Sequence, residues 1–419
     1  MTAAFRTIFA FAFRRLLSGL ADCHAAALAF LMLLTITIPA AGQQGEPGFP
    51  DIPYVLVDTD GNQVIAANRM DDRWHPASLT KLMTAYVTFR AIGRGEISPG
   101  SPVTITASSL KAPPSRMGYP KGTRLRFDNA LRILIVKSAN DVALALAQSL
   151  AGTTAAFVAR MNAEAARLGL ENTRFVNPHG LHDPGQYVSA RDLVILSSAI
   201  WNEFPQFRDL FETPTIRAKG QLYTSYNLLL ERFEGATGMK TGFVCASGYN
   251  IVASAERDGK RLVAVVLGAA SQTQRAELAA RLLMKGFKAA GGQPMATLLP
   301  PQTPAEPVNL RPVLCTEKAR QSRYDPASET AVIKSKWLHP RRVTRDPVLV
   351  ATGGIDGDPS PAWLARAFMP SRVPLPVKRP AYAVVSVDGE TLGSDALLRG
   401  SIPVPVRRPA GETLQQAVQ

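Results

Sequence analysis

The sequence predicts a layered α/β domain whose sheet is assembled from both ends of one folding segment. Three observations carry that expectation. A pair of β-rich runs, "PYVLVD" and "QVIAAN", flanks Thr59-Asp60-Gly61-Asn62, and a second pair lies inside "ASGYNIVASAERDGKRLVAVVLGA". Helical patterns fill the stretch between them. Strands, several helices, strands and a closing helix are most simply satisfied by one sheet with helices packed on it.

Before the first strand, residues 1–42 read as an export signal. Arg14 and Arg15 precede the apolar run "AAALAFLMLLTITIPAAG", and Ala40-Ala41-Gly42 supplies small residues for cleavage after Gly42. The run just reaches membrane-spanning length, so an uncleaved anchor, and membrane association through it, is the alternative. Either way the body is expected outside the cytoplasm, in the periplasm or cell envelope. Cys23 belongs to the signal, which leaves Cys245 and Cys315. An even pair in an oxidising compartment fits a disulfide.

The folded domain is expected over residues 50–290. Asp60-Gly61 and Asp258-Gly259 are hairpin turn signals between β-rich runs. Ser78 to Ile92 places Leu79, Leu82, Met83, Tyr86 and Phe89 at intervals of three and four, which predicts a helix. Further helices are predicted over Asp128–Val136, Asp141–Leu150, Thr153–Leu168 and Ser189–Trp201. "AELAARLLMKGFKAA" predicts a closing amphipathic helix. Beyond residue 290 the character changes. About half of the 32 prolines lie after residue 300, and the only strand-like piece is "AYAVVSV". Residues 291–419 therefore read as a low-complexity, Pro/Arg-rich tail, mostly disordered.

Apolar content of 46% and charged content of 19% are ordinary for a globular enzyme. The net charge of +14 fits an anionic partner such as a membrane or a cell-wall polymer. There is no zinc-finger spacing and no RNA-binding aromatic motif, so nucleic acid is not expected.

Chemistry enters at "HPASLTKLMTAY". Ser78 stands three residues before Lys81 at the head of a helical run of about four turns, so both face one side. The helix start also favours developing negative charge at the serine. Ser-x-x-Lys alone proves little. A second copy, Ser108 to Lys111, runs into Pro113-Pro114, which ends any helix there. Lysine acts as a base only after losing its proton, which burial and a neighbouring cation both promote. Ser138-Ala139-Asn140 and Lys240-Thr241-Gly242 offer the remaining groups, although Ser225-Tyr226-Asn227 repeats the Ser-x-Asn pattern. In Lys-Thr-Gly the glycine admits a ligand backbone, while threonine and lysine offer a hydroxyl and a charge to a carboxylate.

The three motifs in this order are the signature of penicillin-binding proteins and serine β-lactamases. "PASLTKLMTAY", "KSANDVALALA", "NTRFVNPHGLHDPGQYVSARDL" and "GMKTGFVCASGYN" together resemble the D-alanyl-D-alanine carboxypeptidases, the low-molecular-mass penicillin-binding proteins, from about residue 50 to 290. The resemblance implies a β-lactamase/penicillin-binding-protein-like fold, mainly antiparallel with helices on both sides. It implies Ser78 as the acylated nucleophile, Lys81 as its base and Ser138 as a proton shuttle. Asn140 is implied to hold substrate amide and lysine, and Lys240, Thr241 and Gly242 the substrate's terminal carboxylate. Ser78 and Phe243 main-chain N–H groups are implied as the oxyanion hole, and Arg275 as part of the carboxylate pocket. The implied substrate is a peptidoglycan stem peptide ending in D-Ala-D-Ala, with β-lactam antibiotics as covalent inhibitors. No cofactor and no metal are implied.

Three rivals use overlapping residues. An endopeptidase acting on cross-linked peptidoglycan would need the same groups. A class A β-lactamase would need a glutamate, and the corresponding loop from Asn177 to Tyr187 has none. A zinc peptidase could use His179, His182 and Asp183, but a proline before and a glycine between make that stretch a loop. The tail also departs from the family pattern. It ends in "ETLQQAVQ", too short and polar for the membrane-binding C-terminal helix of many relatives.

Overall fold

The computed structural model describes residues 48–298, 305–317, 319, 333–340 and 345–354. The export signal and the "AYAVVSV" piece lie outside them. In chain order the elements begin with strands β1 (Tyr54–Asp58) and β2 (Gln63–Asn68), helix α1 (Thr80–Gly93), and strands β3 (Pro102–Thr104) and β4 (Arg124–Arg126). Helices α2 (Phe127–Val136), α3 (Asn140–Ala151), α4 (Thr154–Arg167) and α5 (Ala190–Glu203) follow. Then come β5 (Thr215–Ala218), β6 (Gln221–Thr224), β7 (Ala236–Val244), β8 (Gly248–Arg257) and β9 (Lys260–Ala269). Helix α6 (Gln272–Lys288) and the two-residue strands β10 (Gln293–Pro294) and β11 (Val348–Leu349) follow, and short helical turns lie at Arg208–Glu212, Leu229–Arg232 and Arg311–Leu314.

The main sheet has the order β10-β2-β1-β9-β8-β7, with every neighbouring pair antiparallel. It is thus built from both ends of the domain, as the two hairpins predict. Side chains alternate across it because the strand period is two. Leu262, Ala264 and Val266 of β9 join Tyr54, Leu56, Ala253 and Ala255 on the face covered by α6 through Ala276, Ala279 and Leu283. Val263, Val265 and Leu267 join Val55, Val57 and Val252 on the opposite face, in one core with α1, α2, α3 and α5. Both faces are dry, which is why β8 and β9 read as nearly continuous apolar runs.

The predicted helices form within a residue or two of the expected ends, except that the closing helix starts at Gln272, four residues before the expected Ala276. Where they start is chemically marked. Thr153, Ser189 and Ser271 each accept the N–H three residues on, at 3.0–3.1 Å, and so cap α4, α5 and α6. Two elements differ from the sequence reading. Lys240-Thr241-Gly242, ahead of the β8–β9 hairpin, lies inside a strand of its own, β7, at the sheet edge. The β5–β6 hairpin, turning at Lys219-Gly220, carries no alternation strong enough to read.

The described residues after 290 continue this fold. Met295 and Val350 are buried in the helical core, and Ile333 and Leu338 in the core under α6. β11 pairs in parallel with β5, and Asn129 Nδ2 donates to Ala351 O at 3.0 Å. Cys245 and Cys315 form a disulfide with Cα atoms 5.7 Å apart. Proline-rich composition hides these isolated anchors. The rest of 291–419 lies outside the described residues.

Candidate active site

The turn that presents Ser78 is over-determined by its neighbours. Ala77–Leu79 form one 3-10 turn that runs into α1, and Ala77 has φ +48°. Gly180 has φ +85°, and a Cβ there would stand 1.8 Å from Ala77 O. Gly242 approaches from the other side, where a Cβ would be 2.8 Å from Ser78 N. Only glycine lets the loop and β7 approach this closely. The rival serine motif is built differently. Ser109–Lys111 is a single turn ended by the extended Ala112, and Ser108 Oγ is spent beside Thr106 Oγ1 at 2.9 Å and accepts Gln148 Nε2 at 3.0 Å.

Helical spacing brings Lys81 Nζ to 3.0 Å from Ser78 Oγ. Lys81 is fully buried. Its Nζ also donates to Asn140 Oδ1 at 2.7 Å and to His179 O at 2.6 Å. Asn140 is oriented in turn, because its Nδ2 donates to Pro113 O at 2.9 Å. Burial drives the Lys81 pKa well below the ordinary lysine value, and the charge of Lys240 adds to this, against a smaller opposing pull from Asp141. A neutral amine has two hydrogens and one lone pair. Asn140 Oδ1 and His179 O can only accept, so they take both hydrogens and leave the lone pair toward the Ser78 hydroxyl.

Ser138 sits just after α2 with φ +60°, a conformation rare for a side-chain-bearing residue and characteristic of functional turns. Lys240 Nζ donates to its Oγ at 3.0 Å and to Thr241 O at 2.9 Å. Burial first, then Arg275, lowers Lys240 to a pKa of about 7. Arg275, in the first turn of α6, is 2% exposed and donates from Nη2 to Tyr226 O at 2.7 Å. Its buried Nε has no hydrogen-bond partner, an unusual state for such a group. Ser78, Ser138, Asn140, Thr241, Gly242, Phe243 and Arg275 line one cleft of about 570 Å³. Phe243 is partly exposed at its wall, its ring 4.3 Å from that of Tyr249.

All nine sequence-predicted residues therefore come together. Four participants were not legible. His179 contributes a carbonyl to Lys81, Tyr226 a carbonyl to Arg275, and Arg116 and Lys137 line the cleft. The spacing of Ser225-Tyr226-Asn227 was visible, but Asn227 serves structure instead, donating to Gly238 O at 2.9 Å. The imidazole of His179 holds a turn by accepting Leu181 N–H at 3.2 Å. Burial and the neighbouring Lys81 hold its pKa at about 3.

A family model described as D-alanyl-D-alanine carboxypeptidase matches residues 47–271. The chain belongs to the D-alanyl-D-alanine carboxypeptidase family. Its relatives include the carboxypeptidase DacD of Salmonella typhimurium, 38% identical over 271 residues, which span 62% of this chain and 70% of the relative. Among solved structures, penicillin binding protein 6B of Escherichia coli is 37% identical and superposes with a TM-score of 0.56, over 60% of this chain and 81% of that one. Penicillin-Binding Protein D2 of Listeria monocytogenes in its cefotaxime-bound form is 28% identical, with a TM-score of 0.53 over 58% of this chain and all of its own. The layered fold is thus that of the penicillin-binding carboxypeptidases, with a mainly antiparallel sheet and helices on both sides.

Proposed function

We propose that this carboxypeptidase removes the terminal D-alanine of peptidoglycan stem peptides through an acyl-enzyme on Ser78. The observation that carries the reading is the Lys81 amine, fully buried, with both N–H directions taken by acceptors and Ser78 Oγ 3.0 Å away. Ser78 Oγ bonds to the carbonyl carbon of the penultimate D-alanine as its proton passes to Lys81. Main-chain N–H groups of Ser78 and Phe243 receive the developing oxyanion. The C–N bond then breaks, and the leaving amine takes a proton through the Ser138 hydroxyl. Water, deprotonated by Lys81, hydrolyses the ester and restores Ser78. Lys240, Thr241 and Arg275 bind the terminal carboxylate, and the unpartnered Arg275 Nε gives that pocket a donor in waiting. A β-lactam would acylate the same serine.

Export places the enzyme with its substrate, in the periplasm or cell envelope. Residues before 48, whether cleaved or kept as an anchor, would decide membrane attachment. Incubation with a synthetic pentapeptide ending in D-Ala-D-Ala tests the activity. Release of D-alanine is the expected result, with an ester on the Ser78 peptide seen by mass spectrometry after trapping with penicillin. Cleavage of a cross-linked muropeptide dimer without release from the pentapeptide would assign it to endopeptidases instead.

A further inference from the structure

The cleft carries more positive charge than one terminal carboxylate uses. Arg275, Lys137 and Arg116 all line it, and no aspartate or glutamate is among its lining residues. Arg275 belongs to the carboxylate pocket. Lys137 and Arg116 have no part in the acyl-transfer chemistry, and among the described residues neither forms an ion pair. Like charges gathered without a counter-charge repel, so the arrangement fits a site completed by an anionic ligand.

Lys137 is held by its side chain, and the exposed Arg116 by the backbone that carries it. Lys137, half-buried, has its Nζ 5.3 Å from the ring centre of Tyr223 and 5.9 Å from that of Tyr226. The rings attract the ammonium from one side and leave donors for another partner. Arg116 rides on a loop fastened to the catalytic segment. Asn140 N donates to Ser115 O at 2.7 Å, and the Asp141 carboxylate accepts Met117 N at 3.0 Å and Gly118 N at 2.8 Å. Lys219 Nζ donates to Met117 O at 3.1 Å and ties the β5–β6 turn to the same loop. Loop and hairpin thus hold the backbone that presents Arg116 beside Lys137 in the cleft that also contains Ser78.

We propose that Lys137 and Arg116 form a second anion subsite, binding a substrate carboxylate other than the C-terminal one and so selecting acidic stem peptides. The proposal rests on the carboxypeptidase reading and adds a specificity to it. Its test compares two synthetic tetrapeptides ending in D-Ala-D-Ala. One carries glutamate and the other glutamine at each of the two preceding positions.

The unaltered protein is expected to favour the glutamate peptide in kcat/KM by roughly fivefold, the scale of partly exposed ion pairs. That preference should shrink as salt rises. Lys137→Met, which keeps the stem over the two rings, and Arg116→Gln should each reduce it, and together bring the ratio close to one. Lys137→Glu should invert it in favour of the glutamine peptide. Equal kcat/KM for both peptides with the unaltered protein would overturn the proposal. So would a Lys137→Met loss equal on both peptides, which marks a purely structural lysine. Turnover of the glutamine peptide by the unaltered protein tests the carboxypeptidase reading separately, because that peptide keeps only the terminal carboxylate.

Discussion

At the scale of single residues, the proposed mechanism needs one lysine neutral and another charged. Both are buried, so desolvation lowers both pKa values, and each lies within the field of another cation. In that mechanism Lys81 acts only above its pKa, as the free amine, and Lys240 only below its own, as the ammonium proposed to hold a carboxylate. The sign of each limb follows. The kcat/KM for a D-Ala-D-Ala peptide should rise with pH as Lys81 loses its proton and fall as Lys240 loses its charge. With Lys240 at about 7 in the empty cleft, the falling limb should lie well below lysine's ordinary 10.5. Lys240→Arg should move that limb upward, and a profile flat to pH 10 would contradict the assignment. Lys81→Ala removes the proton acceptor and should slow penicillin acylation by roughly 10²–10⁴. Ser78→Ala should leave no covalent adduct in the intact mass, whereas an adduct that persisted would point to another serine.

Elements explain why those residues meet, and their legibility varied for physical reasons. Long helices were readable because burial on one side imposes a period, and polar caps such as Ser189 mark their starts. β7 was not readable as a strand. Its sequence ATGMKTGFV trades apolar alternation for glycine, lysine and threonine, because it is an edge strand whose Thr241, Gly242 and Phe243 line the cleft. The importance of Gly180 was equally hidden, since it depends on a contact between a loop and the start of α1. That contact makes a prediction. Gly180→Ala would drive a Cβ into the Ala77 carbonyl at 1.8 Å, where no flexible side chain can yield. A stability loss of about 2–4 kcal/mol is expected from the clash and the positive φ together, with acylation slowed because Ser78 is displaced. Gly95→Ala shares the positive φ but meets nothing within 4 Å. It should cost about 1–2 kcal/mol and leave acylation as it was. Equal melting and equal acylation rates for the two variants would show that the turn has slack.

For the molecule as a whole, the order strands, helices, strands was enough to foresee a sheet closed by the last hairpin, since β1 must find a partner and β9 is the one left. Composition does not reveal the anchors that lie beyond residue 290. A proline-rich chain anchored through scattered single residues has no periodicity to read, yet Cys315, Ile333, Leu338 and Val350 each fasten it to the body. The disulfide closes 70 residues of sequence and attaches directly after Val244, which lines the cleft. Truncation after residue 354 keeps every one of these anchors and should leave both melting temperature and penicillin acylation unchanged. Truncation after residue 298 removes all four. The cross-link alone is worth roughly 2–4 kcal/mol, and each aliphatic anchor about 1.5–3 kcal/mol when fully buried, so the melting temperature should fall sharply. Cys245→Ser with Cys315→Ser in the longer chain separates the two contributions, because it removes the bridge and keeps the packing. If the chain ending at 298 melts with the one ending at 354, the anchors follow the fold rather than support it. If it melts lower but acylates as fast below its transition, they stabilise the domain without shaping the cleft.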